Sequence, residues 1–340
     1  MRLESLLKVN YVLIIIYPMK FPIFITTLLL FQSVFGSEER VREILKDYPV
    51  SEVSLLSGGY SGASNYRIGN DYVLRMYDLS YPVEHVMREF HAAQMAAQEG
   101  IGPFIESIFL EDRAMLMEYI PGKTISIDQA NQSLALMAET LRKAHATEKN
   151  PYPREPLFDQ LEKIYNAILP TVVDEHTFKE SMSVIRQNRE KLENSQFERV
   201  NTHGDLNPRN VFLTDDGIKL IDWSETYWDH PFYDLSCFAM MHNYSTDSES
   251  AFLKSYLMRE PTNEETRQYQ LVKKINLAIF SFSCSAIARG LQEKNPQVID
   301  LNTPLKDLDF YLDTFSEGEE LSAQFFSECA RGLLVECKDQ

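Results

Sequence analysis

Cysteine is scarce. The chain has four among its 340 residues, Cys237, Cys284, Cys329 and Cys337. None stands in the CxxC spacing of a zinc site, which argues against one. Each lies in an apolar or helical context and reads as a buried free thiol. Cys329 and Cys337 are eight apart in one helical stretch, too far to bridge if that helix is straight. Positive charge is also short: 33 Lys and Arg face 50 Asp and Glu, a net charge of −17. Such a surface does not attract a phosphate backbone, so nucleic-acid binding is not expected. Internal repeats and low-complexity tracts are absent. What remains is a folding composition, 44% hydrophobic with 17 Tyr and 20 Phe. The length suits one two-lobed unit or two ordinary domains with a sizeable core. The acidity either favours a cationic small-molecule partner or serves solubility alone.

The most informative stretch is residues 200–225, VNTHGDLNPRNVFLTDDGIKLIDWSE. It sets out His203, Asp205 and Asn210 as His-x-Asp-x-x-x-x-Asn, with Asp222 twelve residues after the Asn. Residues 211–213 read as a strand, 214–217 as a turn and 218–221 as the returning strand. Such a ribbon brings Asn210 and Asp222 side by side at its open end. Their oxygens suit Mg²⁺, a hard cation that keeps several waters. Asp205 is placed to accept the proton of an attacking hydroxyl. Phosphoryl transfer from ATP needs this set, because the transferred group spreads negative charge that must be held while the acceptor is placed in line. His-Gly-Asp alone is a common turn, and an Asp after a strand is a common cap. The specificity lies in all four around one hairpin. His203 reads as a residue that shapes the loop, not one that carries a proton.

Upstream, residues 38–45 read as a short amphipathic helix. Residues 53–56, 66–68, 72–77, 104–110 and 114–120 read as five strands. SGGYSG at 57–62 is a glycine-rich turn, in which Gly58, Gly59 and Ser61 would let backbone N–H groups approach phosphates. Taken plainly, the same turn is a hairpin. Arg75 follows on the third strand, where a protein kinase carries the Lys that holds phosphate oxygens; the plain alternative is an exposed edge-strand Arg. Residues 80–99 read as a helix, with Pro82 in its first turn and Gly100 at its end. Glu89 lies beside its buried stripe and is the first candidate to pair with Arg75, ahead of Glu84. Residues 118–122, EYIPG, read as a linker into a helical second half.

HGDLNPRNV at 203–211, IDWSE at 221–225 and PFYDLS at 231–236 resemble motifs of the aminoglycoside phosphotransferase and choline/ethanolamine/thiamine kinase superfamily. The resemblance covers roughly residues 50–240. It implies an α+β, two-lobed protein-kinase-like fold. A small antiparallel-sheet, nucleotide-binding lobe would span 37–120, and a larger, mainly helical lobe, catalytic and acceptor-binding, would span 121–340. It also implies ATP and Mg²⁺ as co-substrates and a small hydroxylated acceptor. On this resemblance the backbone of Glu118 and Ile120 receives the adenine edge, Arg75 neutralises phosphate with Glu89 positioning it, and Asp234 steadies the catalytic loop. An Arg at 75, in a V-L-R context, is similar to the choline- and thiamine-kinase-like branch and departs from the Lys of aminoglycoside enzymes. Eight residues separate Asp222 from PFYDLS, far fewer than a protein kinase's activation segment. That favours a small-molecule acceptor.

Both tryptophans follow Asp222 closely. Trp223, Glu225, Trp228 and Asp229 either hold an ammonium by cation–π and charge attraction or pack beneath the site. The expected activity is Mg²⁺-dependent transfer from ATP to a hydroxyl of an amine-bearing molecule of the choline, ethanolamine or thiamine kind. The alternatives are an aminoglycoside acceptor, or a nucleotide- or partner-binding protein without catalysis. Residues 128–146, 156–169, 177–192, 247–293 and 305–337 read as helices. Within them, 275–291 is apolar enough for a core helix, but too short and Ser-rich for a membrane span. Residues 1–36 stand apart. Read from Met19 they resemble a secretory signal, with Lys20, an apolar run and small residues before Ser37. Read from Met1 they resemble an imperfect membrane anchor, and a later start of translation is the third option. Membrane contact is expected through this segment alone. Dependence on ATP points instead to the cytoplasm.

Overall fold

The computed structural model describes residues 38–50, 52–56, 63–152, 154–317 and 321–339. The signal-like segment 1–36, and Gly58, Gly59 and Ser61 of the glycine-rich turn, lie outside the described residues. The chain begins α1 (Glu38–Ile44), β1 (Val53–Leu55), β2 (Ala63–Ile68), β3 (Tyr72–Tyr77), α2 (Val83–Gln98), β4 (Ile105–Phe109) and β5 (Ala114–Glu118). It continues with α3 (Ile127–Gln132), α4 (Leu134–His145), α5 (Leu157–Ile168), α6 (Glu175–Glu193), β6 (Val200–Thr202), β7 (Val211–Thr214), β8 (Gly217–Leu220) and β9 (Tyr227–Asp229). It ends with α7 (Phe232–Met241), α8 (Thr246–Leu257), α9 (Asn263–Lys294), α10 (Leu308–Glu317) and α11 (Ala323–Asp339). These elements form two compact units. One comprises the described part of Thr27–Arg154 with Glu198–Glu260, and the other Glu155–Phe197 with Pro261–Gln340.

The first unit opens with an antiparallel sheet in the order β1-β2-β3-β5-β4. Side chains alternate across a strand. Tyr66 and Ile68 of β2, Leu74 and Met76 of β3 and Leu116 of β5 therefore share one buried face, which Val41 of α1 and Leu45 just after it cover. Arg75, between Leu74 and Met76, is sent to the opposite face. Helix α2 starts after Pro82 and closes into Gly100, whose φ of +70° is the left-handed conformation that ends helices. The same unit carries two small ribbons. β7 pairs with β8 in the register Val211↔Leu220, and β6 pairs with β9 in the register Thr202↔Tyr227. The single helix expected at 128–146 is interrupted at Ser133 (φ −110°, ψ 22°), giving α3, with a Ser126/Gln129 capping box, and α4.

The second unit is helical. Helix α9, 32 residues, packs against α6 and α11. By length and composition it could cross a membrane, but 83% of its apolar window is buried inside the protein. Two of its buried serines are accommodated by hydrogen bonds. Ser281 Oγ lies 2.7 Å from Ser181 Oγ and donates to the Ala330 carbonyl at 2.7 Å, and Ser285 donates to the Ser281 carbonyl. Phe282 stacks on Phe178, with ring centroids 4.4 Å apart. Cys284 and Cys329 meet here at 3.7 Å between sulfurs, and all four cysteines are buried free thiols.

Candidate active site

Strand β6 delivers the chain into the loop that carries His203, Gly204 and Asp205. Gly204 has φ +81°, and a Cβ there would lie 2.4 Å from the Glu225 carbonyl oxygen. Only glycine fits both the backbone angle and the gap. The His203 and Gly204 amides donate to the two oxygens of Asp234, at 2.7 and 3.0 Å. The His203 ring is wholly buried. Its Nδ1 accepts the Asp205 amide at 3.2 Å, so Nε2 carries the proton and donates to the Ile221 carbonyl at 3.0 Å. Burial holds this imidazole below its ordinary pKa and therefore neutral, even though Asp234 pulls the other way. The ring thus ties the loop to the residue before Asp222.

Asp205 is held by two amides. Its Oδ1 accepts from Asn207 Nδ2 at 2.9 Å and its Oδ2 from Asn210 Nδ2 at 3.0 Å. Asn210 ends a 3₁₀ turn, Pro208–Asn210, whose first residue follows a cap by the Asn207 side chain. With its nitrogen bonded to Asp205, Asn210 has its side-chain oxygen to offer elsewhere. The Ile221 amide donates to the Asn210 carbonyl at 3.0 Å, which places Asp222 next to Asn210 at the open end of the ribbon. Asp222 itself has φ +61° and ψ +67°, left-handed for a residue with a Cβ. That conformation costs on the order of 1 kcal/mol, and strain of this kind concentrates at functional sites.

Arg75 reaches Asp222 from the sheet. Its Nη2 lies 2.8 Å from Asp222 Oδ1 and its Nε 2.7 Å from Glu89 Oε1. Its Nη1 donates to Asn65 Oδ1 at 3.3 Å, and the Tyr77 hydroxyl donates to Glu89 Oε2. Arg75 is 5% exposed and Glu89 1%. Burial alone would lower the guanidinium's pKa, but Asp222 and Glu89 outweigh it and hold the group above its ordinary value. Tyr77 is pushed well above the ordinary phenol range, by burial first and by Glu89 next, and stays a neutral donor. Arg75 is therefore a buried double ion pair, not an edge-strand surface residue. Glu84, the alternative partner, is exposed on α2.

The donor set fits Mg²⁺: one carboxylate and one amide oxygen on a ribbon end, both hard ligands. Among the described residues no group of three or more His, Cys, Asp or Glu is arranged to hold a metal. An ion here would complete its shell with water or substrate oxygens.

The aromatic and acidic cluster after Asp222 is not gathered around an open cage. Trp223 is buried, its ring centroid 4.5 Å from that of His203, and its Nε1 donates to the Leu220 carbonyl. Glu225 is buried against Arg154, whose Nη2 lies 2.5 Å from its Oε2 and whose Nη1 donates to its carbonyl at 2.6 Å. Asp229 is buried and accepts the His230 amide at 2.8 Å. Trp228 is 37% exposed, with Lys149 Nζ 5.5 Å above its ring. Of the two readings made from sequence, packing beneath the site describes Trp223. Glu118 donates its amide to the Phe104 carbonyl at 2.8 Å, and its side chain accepts the Phe104 amide at 3.1 Å, so it is not merely a backbone element. Ile120 is half-buried two residues on.

Four participants were not singled out from sequence. Asn65, Tyr77 and Arg154 stand in no motif, Ser224 lies in the IDWSE motif with no role assigned to it, and the partners of all four are found only in three dimensions. Ser224 donates to Asp222 Oδ1 at 2.6 Å. A feature that hinted at Arg154 was available: a carboxylate such as Glu225, predicted near a core, needs a cation.

A sheet-borne Arg–Glu pair set against a ribbon bearing Asp and Asn, with a second Asp on the preceding loop, defines a phosphotransferase of the kinase-like kind. The profile of the phosphotransferase enzyme family matches residues 52–269, and the chain belongs to that family. Among solved structures, one similar in fold is a choline/ethanolamine kinase family protein from Mesorhizobium loti. It is 18% identical with a TM-score of 0.62, over 88% of this chain and 99% of that one. Choline kinase LicA from Streptococcus pneumoniae matches with a TM-score of 0.63 at 16% identity, over 88% and 99%. The streptomycin–ATP–APH(2")-IIa ternary complex matches with a TM-score of 0.56 at 16% identity, over 74% and 91%. At these identities the likeness is one of fold, and it is the two-lobed kinase-like fold expected from the sequence. No curated protein sequence matches the chain.

Proposed function

We propose that the protein transfers the γ-phosphoryl group of ATP to a hydroxyl of a small amine-bearing molecule, of the choline, ethanolamine or thiamine kind. The observation that carries this is the Asp205 carboxylate, buried to 6% exposure and aligned by Asn207 and Asn210. The two amides fix the direction in which this carboxylate can receive a hydroxyl. Asp205 orients the acceptor hydroxyl and takes its proton as the new bond to phosphorus forms. Arg75 places its charge against phosphate oxygens, and Glu89 and Tyr77 hold it there. Asn210 and Asp222 are the residues that would hold Mg²⁺, which when bound neutralises charge on the transferring group. A purine edge would meet the Glu118 carbonyl and the Ile120 amide, since the Glu118 amide is committed to Phe104. His203 remains neutral and structural.

The amino-alcohol acceptor is supported by the choline and ethanolamine kinases among the proteins similar in fold. A second reading, an aminoglycoside acceptor, is favoured by the streptomycin-bound enzyme among the same neighbours. The test begins with thermal stabilisation by ATP, with and without Mg²⁺. It continues with ATP consumption in the presence of choline, ethanolamine, thiamine and an aminoglycoside panel. Turnover with one amino-alcohol is the expected result. Mg²⁺-dependent ATP binding with no turnover on any acceptor would favour a binding protein instead.

A further inference from the structure

We infer that Arg154 is a positioning residue for the proposed reaction: its guanidinium fixes the spacing between the loop that carries Asp205 and the turn that follows Asp222. This rests on the phosphotransferase reading above and deepens it, because it names a further residue of that same site. The two segments touch at Gly204 and Glu225. A Cβ on Gly204 would lie 2.4 Å from the Glu225 carbonyl oxygen, so that carbonyl is pressed against the loop one residue before Asp205. The loop's amides are spent elsewhere. Those of His203 and Gly204 go to Asp234, and that of Asp205 goes to His203 Nδ1. A buried carbonyl needs a donor, and Arg154 supplies one through Nη1 at 2.6 Å.

Arg154 grips Glu225 twice, since its Nη2 also lies 2.5 Å from the side-chain Oε2. The guanidinium is planar and rigid, so holding the carboxylate also sets the direction in which Nη1 meets the carbonyl. Glu225 closes the 3₁₀ turn Trp223–Glu225, which begins directly after Asp222. On the other side of Asp222, the His203 ring donates to the Ile221 carbonyl at 3.0 Å. Loop and turn are thus joined on both sides of Asp222, by His203 before it and by Arg154 after it. Asp205 sits on one of these segments and Asp222 on the other. In-line transfer is sensitive to their separation, because a misplacement of about 1 Å can cost about 10²-fold in rate. Removing Arg154 does not strand Glu225 without a cation. Arg88 of α2 is buried nearby; burial and then Arg154 lower its pKa, and Glu225 raises it. Two cations share one carboxylate there, and Arg154→Met leaves one of each.

The test compares Arg154→Met and Arg154→Lys with wild type in the full-length protein, by amide hydrogen exchange and by kinetics. In Arg154→Met, exchange in peptides spanning residues 203–206 and 222–227 should speed up by about 10-fold, the loss of one charge-assisted bond, while the β1–β5 sheet exchanges as in wild type. kcat should fall by about 10- to 100-fold, with KM for ATP within about 3-fold of wild type. Arg154→Lys keeps a charge beside Glu225 and should recover part of both losses. If Arg154→Met does not fold, Arg154→Lys carries the test, with smaller shifts in the same directions. Faster exchange throughout the unit with kcat per folded molecule unchanged is what a purely structural ion pair would give, and it overturns the inference. Wild-type exchange in the 203–206 and 222–227 peptides overturns it too. Local loosening in a protein that phosphorylates no acceptor would uphold the contact between loop and turn and sink the proposed activity. An active enzyme whose variants keep wild-type kcat would sink the role of Arg154 alone.

Discussion

Asp234 and His145 are 89 residues apart in sequence and 2.9 Å apart in the fold, through Oδ2 and Nε2. The other imidazole nitrogen lies 2.8 Å from the Tyr256 hydroxyl. Asp234 thus receives α4 through His145 and the 203–205 loop through the His203 and Gly204 amides, while 1% exposed itself. Removing the carboxylate strands two amides and an imidazole in the interior. Asp234→Ala should therefore cost about 3 kcal/mol or more, since each buried orphan costs 1–3 kcal/mol. Differential scanning calorimetry reads this directly. A melting temperature equal to wild type would show that the loop does not depend on this residue.

The loop's other requirement is space. Gly204→Ala puts a methyl group 2.4 Å from the Glu225 carbonyl and asks an L-residue for φ +81°. The atom in the way is backbone, on the turn that follows Asp222, so it cannot rotate aside. The variant should lose about 2–4 kcal/mol of stability. Relief would come by moving Asp205 away from Asn210, so the turnover of whatever protein still folds should fall as well. Denaturant melts and a turnover assay on the soluble fraction check both effects. Wild-type stability would mean that the turn yields more easily than the geometry allows.

Much of this was legible in advance, and the reason is locality. The β7–β8 ribbon follows from alternating apolar residues about a Thr-Asp-Asp-Gly turn, all within eleven residues. Helix α2 follows from Pro82 and Gly100. Arg75 and Glu89 could be matched because one strand and one helix each offered a single well-placed charge. The break at Ser133 was not legible, because the apolar period runs through it and only the capping box at Ser126 marks a fresh start. The 247–293 stretch likewise splits into α8 and α9 at Met258, a left-handed residue no propensity foretells, with Pro261 close behind. The Arg154–Glu225 and His145–Asp234 bonds join residues with no common motif. Their signal is buried charge, which a sequence shows only once its core is known. Trp223 shows the same limit: the sequence left it as either a binding group or a packing one, and only its ring contact with His203 in the fold describes it as packing.

Asp205 separates chemistry from folding. The side-chain amides of Asn207 and Asn210 that it accepts from are neutral and can bond to water instead, so Asp205→Ala should retain the fold. Rate should fall by about 10²- to 10⁴-fold if the carboxylate is the proton acceptor. Nucleotide affinity, measured by isothermal titration calorimetry with Mg²⁺ present, should stay within a few-fold of wild type, because the proposed role sets the residue against the acceptor hydroxyl and not the triphosphate. Equal losses in nucleotide binding and in rate would assign Asp205 to the nucleotide site instead.

The interior also carries a histidine that makes stability depend on pH. His242 is fully buried, its Nδ1 donates to the Phe238 carbonyl at 2.9 Å, and its ring lies 4.0 Å from that of Phe238. Burial pushes its pKa down from 6.5 to about 4. The unfolded chain therefore binds a proton near pH 6.5 that the folded chain refuses until about pH 4. Stability is highest above the upper value and falls as pH drops through the window between them. The full loss is about 3 kcal/mol, at 1.36 kcal/mol per pKa unit. His203, also depressed by burial, adds to the loss with the same sign. His242→Phe removes the titrating group and keeps an aromatic against Phe238. Urea melts at pH 7 and pH 4.5 should then show a smaller drop in unfolding free energy for the variant than for wild type. Because the carboxylates contribute equally to both proteins, the difference of the two drops isolates His242, and a difference of zero would place that histidine in water rather than in the core.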